Sequence, residues 1–365
     1  MSSVPKKQRN SSIEILRILA ILGVVVLYYN NSSIGGAFNY IDNAPISKAF
    51  LYFIESICIV GVNVFVLITG YYLSTKDERI IIKPFKLLIQ TVIFKVGAYV
   101  VQTLITNDSL TIKNILLAAI PNSWFIILYI ALYLISPILN IVIKSVNDKA
   151  LTRIVLILVL VFSIYPTITD LIGEALKNPI SGISTIGSYG SQWGYTIVNF
   201  VTLYFIGAYL RRCPLRLSTV KHLLFLILST GIIEMWAYIN DVVGFEIERT
   251  AWSYCNPFVV LSSILLVSMF SRFNLGTNQI INSLSSSTFS IYLLNCYLFP
   301  LFNIPYYASK GLGVMIINLV FTVVGIFSIC YAVTIIYNAI MKFVYAITID
   351  KLQVLQKDIY KDSNE

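Results

Sequence analysis

The sequence predicts an all-α fold, a polytopic membrane protein of about ten transmembrane helices with both termini in the cytoplasm. Three observations predict it. The residues AVILMFWYC make up 57% of the 365-residue chain and DEKR only 12%, with a mean hydropathy of +0.81; a water-soluble domain of this length needs a far more charged surface. Ten apolar runs, each about long enough to cross a bilayer, fill the chain almost end to end. The basic residues gather in every second connection between those runs.

A helix needs about 20 apolar residues to cross the hydrocarbon, because lipid offers no partner to a stray backbone N–H or C=O. The first run, 13–30, follows a polar tail with Lys6, Lys7 and Arg9 and lacks a small-residue cleavage pattern, so it reads as a retained helix and not a removable signal peptide. Runs at 47–73 and 84–105 are joined through a stretch holding Lys76, Arg79, Lys83 and Lys86. The segment 110–121, LTIKNILLAAIP, is too short to span and belongs at the interface. Runs at 122–144 and 151–170 flank Lys144, Lys149 and Arg153. The sixth run, 195–210, is short, and Arg211, Arg212, Arg216 and Lys221 separate it from the seventh, 220–240. The eighth, 256–272, ends at Arg272; the ninth, 283–302, and the tenth, 312–340, complete the set, with Lys342, Lys351, Lys357 and Lys361 beyond. The expected organisation is one transmembrane domain, 1–345, and a polar cytoplasmic tail, 346–365.

The intervening loops hold only Lys48, Lys113, Lys177, Arg249 and Lys310, beside Asp42, Asp108, Asp170, Glu174, Asp241, Glu246 and Glu248. Cytoplasmic loops carry the excess of Lys and Arg, so both termini and the basic loops are expected inside, as an even number of spans requires. The formal charge of +9 is mostly this asymmetry. It points to an anionic lipid leaflet or a phosphorylated cytosolic ligand and gives no reason to invoke nucleic acid. The five cysteines (58, 213, 255, 296, 330) are scattered without paired spacing, so neither a disulfide framework nor a metal site is expected. The longest outer loop, 171–194, is rich in Gly and Ser and is placed to line or cover an external site. Tyr40, Tyr189, Tyr254, Tyr306 and Tyr307 in outer segments suit carbohydrate contact and equally an interfacial belt.

Ionisable residues inside spans are expensive and each calls for a functional reading. Glu14 and Arg17 open the first run, Glu55 lies in the second, Lys95 in the third and Glu234 in the seventh. Glu14 and Arg17, three residues apart, share a helix face and suit a local ion pair; the plainer alternative has Arg17 snorkelling to the headgroups. Glu55 and Lys95 suit a structural pair between helices, and periodicity says no more.

Five local strings say more. SSIEILRILAILGVVVLYYN places an Arg early in a first span; GVNVFVLITGYYLSTKD closes an apolar run in Thr-Gly-aromatic; NSWFIILYIALYLISPIL ends a Trp-Phe helix in Ser-Pro. FVTLYFIGAYLRR and SSSTFSIYLLNCYLFP follow in order. Together, across some 300 residues, they resemble the acyltransferase 3 family of integral membrane proteins. The resemblance implies transfer of an acyl group, usually acetyl from cytosolic acetyl-CoA, to a hydroxyl of a cell-surface or undecaprenyl-linked glycan in a bacterial plasma membrane. In that family an Arg of the first helix is followed eleven residues later by a His that activates the acceptor. Arg17 matches the Arg, but the His position holds Tyr28, and the late-segment His is Asn295.

The single histidine, His222, sits beside Lys221 at the start of the seventh run, where interfacial packing is the plainer role. Free tyrosine titrates at about 10, so Tyr28 serves as a base only if strongly activated; otherwise its ring and hydroxyl suit orienting a sugar. Glu55 is the substitute base, since a carboxyl group withdrawn from water titrates closer to neutrality. Glu14, Thr69, Gly70, Tyr71, Trp124 and Asn295 complete the candidate substrate-contacting set, with packing as the alternative for Thr69, Gly70 and Tyr71 and a belt position for Trp124. Two functions follow: a membrane O-acyltransferase, or a catalytically degenerate relative acting in exopolysaccharide or capsule export or assembly. The topology has its own check. With both termini inside, single cysteines placed through 76–86 react with an impermeant thiol reagent only after the membrane is opened; labelling in intact cells reverses the orientation.

Overall fold

The computed structural model describes residues 10–41, 44–75, 82–183 and 190–362; Lys6, Lys7, Arg9, Asp42, Lys76, Arg79 and Tyr189 lie outside them. The described residues form helices and no strand. In chain order the helices are α1 (Ser11–Asn30), α2 (Pro45–Cys58), α3 (Gly61–Leu73), α4 (Ile82–Thr106), α5 (Ile112–Ala119), α6 (Trp124–Ser145), α7 (Asp148–Val159) and α8 (Tyr165–Leu176). They continue as α9 (Ile197–Arg212), α10 (Thr219–Val243), α11 (Ile247–Thr250), α12 (Pro257–Arg272), α13 (Gln279–Ser285), α14 (Thr288–Leu298), α15 (Ile304–Ala308) and α16 (Leu312–Asp362).

Helix occupies each of the ten predicted runs. Among the described residues, seven spans are long and apolar enough to cross a membrane, and Pro257–Arg272 and Thr288–Phe302 are shorter apolar helices. The chain is a multi-pass membrane protein. The sixth run is α9, whose 16 residues are less apolar than its neighbours. The reason is position. Asn199, Thr202 and Tyr204 are buried with its apolar residues, so α9 sits among other helices.

Local chemistry explains the ends and interruptions. Asn10, Asn147, Thr196, Ser218 and Asn256 each accept a backbone N–H at the start of α1, α7, α9, α10 and α12. The second span bends only slightly, because Ile59 and Val60 keep right-handed helical angles between α2 and α3. The fifth carries a π turn at Leu160–Ile164, just before Pro166, whose ring cannot follow a regular ladder. α8 runs on to Leu176, so the outer loop expected from 171 begins at Lys177, in left-handed geometry. α5 lies against α4 with none of its residues buried, in keeping with an interfacial segment. The expected polar tail is not separate from the last span: α16 stays helical through Asp362.

The closest helix crossing is between α3 and α9. A Cβ on Gly70 would stand 2.2 Å from the Tyr204 carbonyl oxygen, and one on Gly207 would stand 2.2 Å from that of Leu67. The two glycines let the backbones touch, as small residues do where lipid supplies no hydrophobic drive for helix association. Asn140 of α6 joins the pair by donating to the Leu73 carbonyl at 3.0 Å and accepting from the Tyr204 hydroxyl at 2.6 Å. Gly207→Val forces the backbones apart. Overpacking of this kind costs about 1–3 kcal/mol or more, and the thermal midpoint of the purified variant should fall well below that of the parent.

Candidate active site

Arg17 lies two turns into α1 and turns inward. Its Nη1 donates to Glu14 Oε1 at 3.0 Å, and the other oxygen of Glu14 accepts from the Ser285 hydroxyl at the end of α13. Glu14 is buried, so its carboxylate is an internal bracket and not a headgroup contact. The guanidinium is thus aimed at a cavity of about 160 Å³ lined also by Thr69, Lys83, Phe125, Tyr129 and Tyr292. Five helices, α1, α3, α4, α6 and α14, build it.

The walls are fixed by short bonds. The Thr69 hydroxyl donates to the Phe65 carbonyl one turn back and lies 2.8 Å from the Tyr129 hydroxyl. Lys83 sits over the Tyr133 ring, 5.0 Å from its centroid. Two cations on an aromatic-walled cavity make it receptive to an anionic or strongly dipolar group.

A second group of side chains adjoins the first through Tyr292. Its phenol faces that of Tyr28 on α1, while its ring stands 5.1 Å from Phe125. Beyond them Trp124 stacks on Tyr195 with centroids 4.3 Å apart, and Tyr254 lies 5.6 Å from Trp124 and 5.3 Å from Tyr195. Trp124 is therefore part of an aromatic cluster. Glu55 of α2 completes the group, electrostatically close to Tyr195 and Tyr254 and buried. Its Oε2 accepts from the Asn30 amide at 2.6 Å. The Asn30 Oδ1 beside it has no hydrogen-bond partner in the structure although it is buried.

Other candidates sit elsewhere. Glu55 does not pair with Lys95, because α2 packs on α1 and α10 whereas α4 packs on α5, α6 and α14; Lys95 donates instead to the Asn122 side chain. Asn295 is buried, and its amide donates to the Ile291 and Tyr292 carbonyls at 2.9 and 3.1 Å, so the late-segment position faces its own helix. Tyr71 accepts from Arg211 at 3.2 Å, and that guanidinium stands 5.0 Å over its ring, away from the Arg17 cavity. Gly70 belongs to the α3–α9 crossing. His222 is buried between α10 and α12, 3.1 Å from the Ser268 hydroxyl and 3.1 Å from the Ser218 carbonyl. Glu234 is half-buried on α10 near Tyr238. Among the described residues no group of acidic, His or Cys side chains is arranged to hold a metal.

Sequence reasoning missed Lys83, Tyr129, Tyr292, Asn30 and Tyr195. Tyr129 had a signal, being one turn beyond Phe125 on the same face. Lys83 counted only toward topology. Tyr195 follows a Gly/Ser-rich loop with no periodicity to mark it, and Asn30 is a helix-terminal residue whose partner is 25 positions away.

A family model described as an acyltransferase domain matches residues 10–337. The chain belongs to that family. In this acyltransferase-family protein the match takes in both groups of side chains and all but the final residues of the last span. No curated protein and no solved structure matches the chain.

The Asn30–Glu55 bond gives a stability test. Asn30→Ala removes the only hydrogen bond the structure gives this buried carboxyl group, a loss of about 1–3 kcal/mol. Asn30→Ala should unfold earlier than the parent in a detergent titration, and Asn30→Ala with Glu55→Leu should recover most of the difference; an unchanged midpoint in the single variant would remove the pair from the account.

Proposed function

We propose that this chain is a membrane O-acyltransferase that moves an acyl group, most simply acetyl, from acyl-CoA to a hydroxyl of a cell-surface or undecaprenyl-linked polysaccharide in a bacterial plasma membrane. The observation that carries the reading is Arg17, bracketed by Glu14 on a cavity that adjoins the tyrosine group around Tyr28. Family membership supports acyl transfer in general; the donor and acceptor are the proposal.

The chemistry divides between the two groups. Arg17 and Lys83 hold the donor's acyl end, where a guanidinium stabilises the oxyanion that develops on the thioester carbonyl. The acceptor hydroxyl approaches along the aromatic rings of Tyr28, Trp124 and Tyr195, which suit the apolar face of a sugar. Its oxygen bonds to the acyl carbon, the carbon–sulfur bond breaks, and the sulfur leaves as thiolate. Glu55 takes up the hydroxyl proton through the tyrosine hydroxyls, and a proton returns to the thiolate as free CoA. Tyr28 orients the acceptor where relatives have an imidazole.

A second reading has one specific observation behind it. Both family His positions are changed, and Asn295 is turned to its own helix, which favours a scaffold in polysaccharide export or assembly. Glycan analysis of a deletion strain separates the two: loss of O-acyl esters on a polymer still secreted supports transfer, and loss of surface polymer with acylation intact supports export.

General-base assistance is worth about 10²–10⁴-fold. In an acetyl-CoA turnover assay Glu55→Ala should fall by about that factor, whereas Tyr28→Phe, keeping the ring, should fall modestly. An active parent indifferent to Glu55→Ala removes Glu55 as the base. A parent that is inactive, and stays so as Tyr28→His, supports the export reading.

A further inference from the structure

The ends of α3, α6 and α9 meet around a second cleft of about 400 Å³, lined by Ser74, Thr75, Ile143, Lys144, Arg211 and Arg212. Three cations and two hydroxyls face one space, and among the described residues no carboxylate lines it. Three helix C-termini account for part of the charge, since their carbonyls favour cations. Arg212 serves that purpose: Nη1 donates to the Ile143 carbonyl at 3.0 Å and Nε pairs with Asp148 at 2.6 Å. Arg211 does not. Among the described residues it enters no ion pair, and the Tyr71 phenol and ring hold its guanidinium at the cleft. A planar guanidinium held by an aromatic ring, with an ammonium and hydroxyls nearby, suits the oxygens of a phosphate.

The cleft lies on the same helix, α3, as part of the Arg17 cavity wall. Tyr72, next to Tyr71 on α3 with ring centroids 5.1 Å apart, is electrostatically close to both Arg17 and Arg211. The end of α3 therefore stands between two cationic spaces, one at Arg17 and one at Arg211.

We propose that the Arg211 cleft is a phosphate subsite that takes the nucleotide phosphates of the acyl donor, while its acyl end enters the Arg17 cavity. The phosphate chemistry stands on the cleft alone; the identity of its owner rests on the acyl-transfer reading above. The fold thus binds the donor at two points, and the second is built from the basic pair that follows the Phe-Ile-Gly-Ala-Tyr string.

The test uses the full-length protein in detergent with adenosine 3′,5′-bisphosphate, a nucleotide with no thioester, and reads binding by calorimetry. Arg211→Gln and Lys144→Gln should each weaken binding by about tenfold, the loss of one charge-assisted contact. Arg211→Lys, which keeps the charge, should recover part of that loss, and Arg17→Gln should leave bisphosphate binding unchanged. Should Arg211→Gln fail to fold, Lys144→Gln and Thr75→Ala report on the same cleft. Bisphosphate binding indifferent to Arg211 and Lys144 overturns the proposal, as does absence of binding in the parent. Failure to bind bisphosphate together with Arg211-dependent retention of phosphatidylglycerol from nanodiscs also overturns it, assigning the cleft to a lipid headgroup. Arg211-dependent binding in a protein with no acyl transfer upholds the subsite and defeats the enzyme reading.

Discussion

Backbone contact between α3 and α9 sets the dimensions of everything around it. Gly70 and Gly207 are each within one Cβ of the opposing carbonyl, so the two helices cannot slide or rotate without collision. That crossing fixes Thr69 toward the Arg17 cavity and Tyr71 toward Arg211, on the two residues that flank Gly70. It also brings Tyr204 to Asn140, which ties α6 to both. In lipid, where apolar side chains gain little by leaving their solvent, such close packing and a few buried hydrogen bonds take over the role that hydrophobic burial has in water.

Polar groups inside the bundle follow the same constraint. Each must find a partner within the protein, because no water competes for it. Glu14 meets this by bracketing Arg17 and Ser285, and in doing so turns an arginine that would otherwise reach for headgroups into a fixed charge on a cavity. Glu55 meets it through Asn30, and His222 through Ser268 and the Ser218 carbonyl. The difference matters for function. His222 is saturated between two helices, whereas Glu55 stands beside an aromatic group and next to an amide oxygen with no partner in the structure.

The sequence by itself determined the class, the helix positions and the family. Those rest on properties that are local or additive: hydropathy over about 20 residues, basic residues counted loop by loop, and short strings read in order. It also placed Arg17 and Glu14 on one face, because three residues on a helix are neighbours wherever the helix is. What only the tertiary structure decided is which helices touch. The Glu55–Lys95 pair was chemically reasonable, and packing separated the two helices that carry it. Asn295 turned to its own helix, and Trp124 stacked on a loop tyrosine. Lys83 and Arg211, legible only as topology signals, became walls of two cavities. Each outcome depends on distances between segments remote in the chain, and neither periodicity nor composition along one segment carries that information.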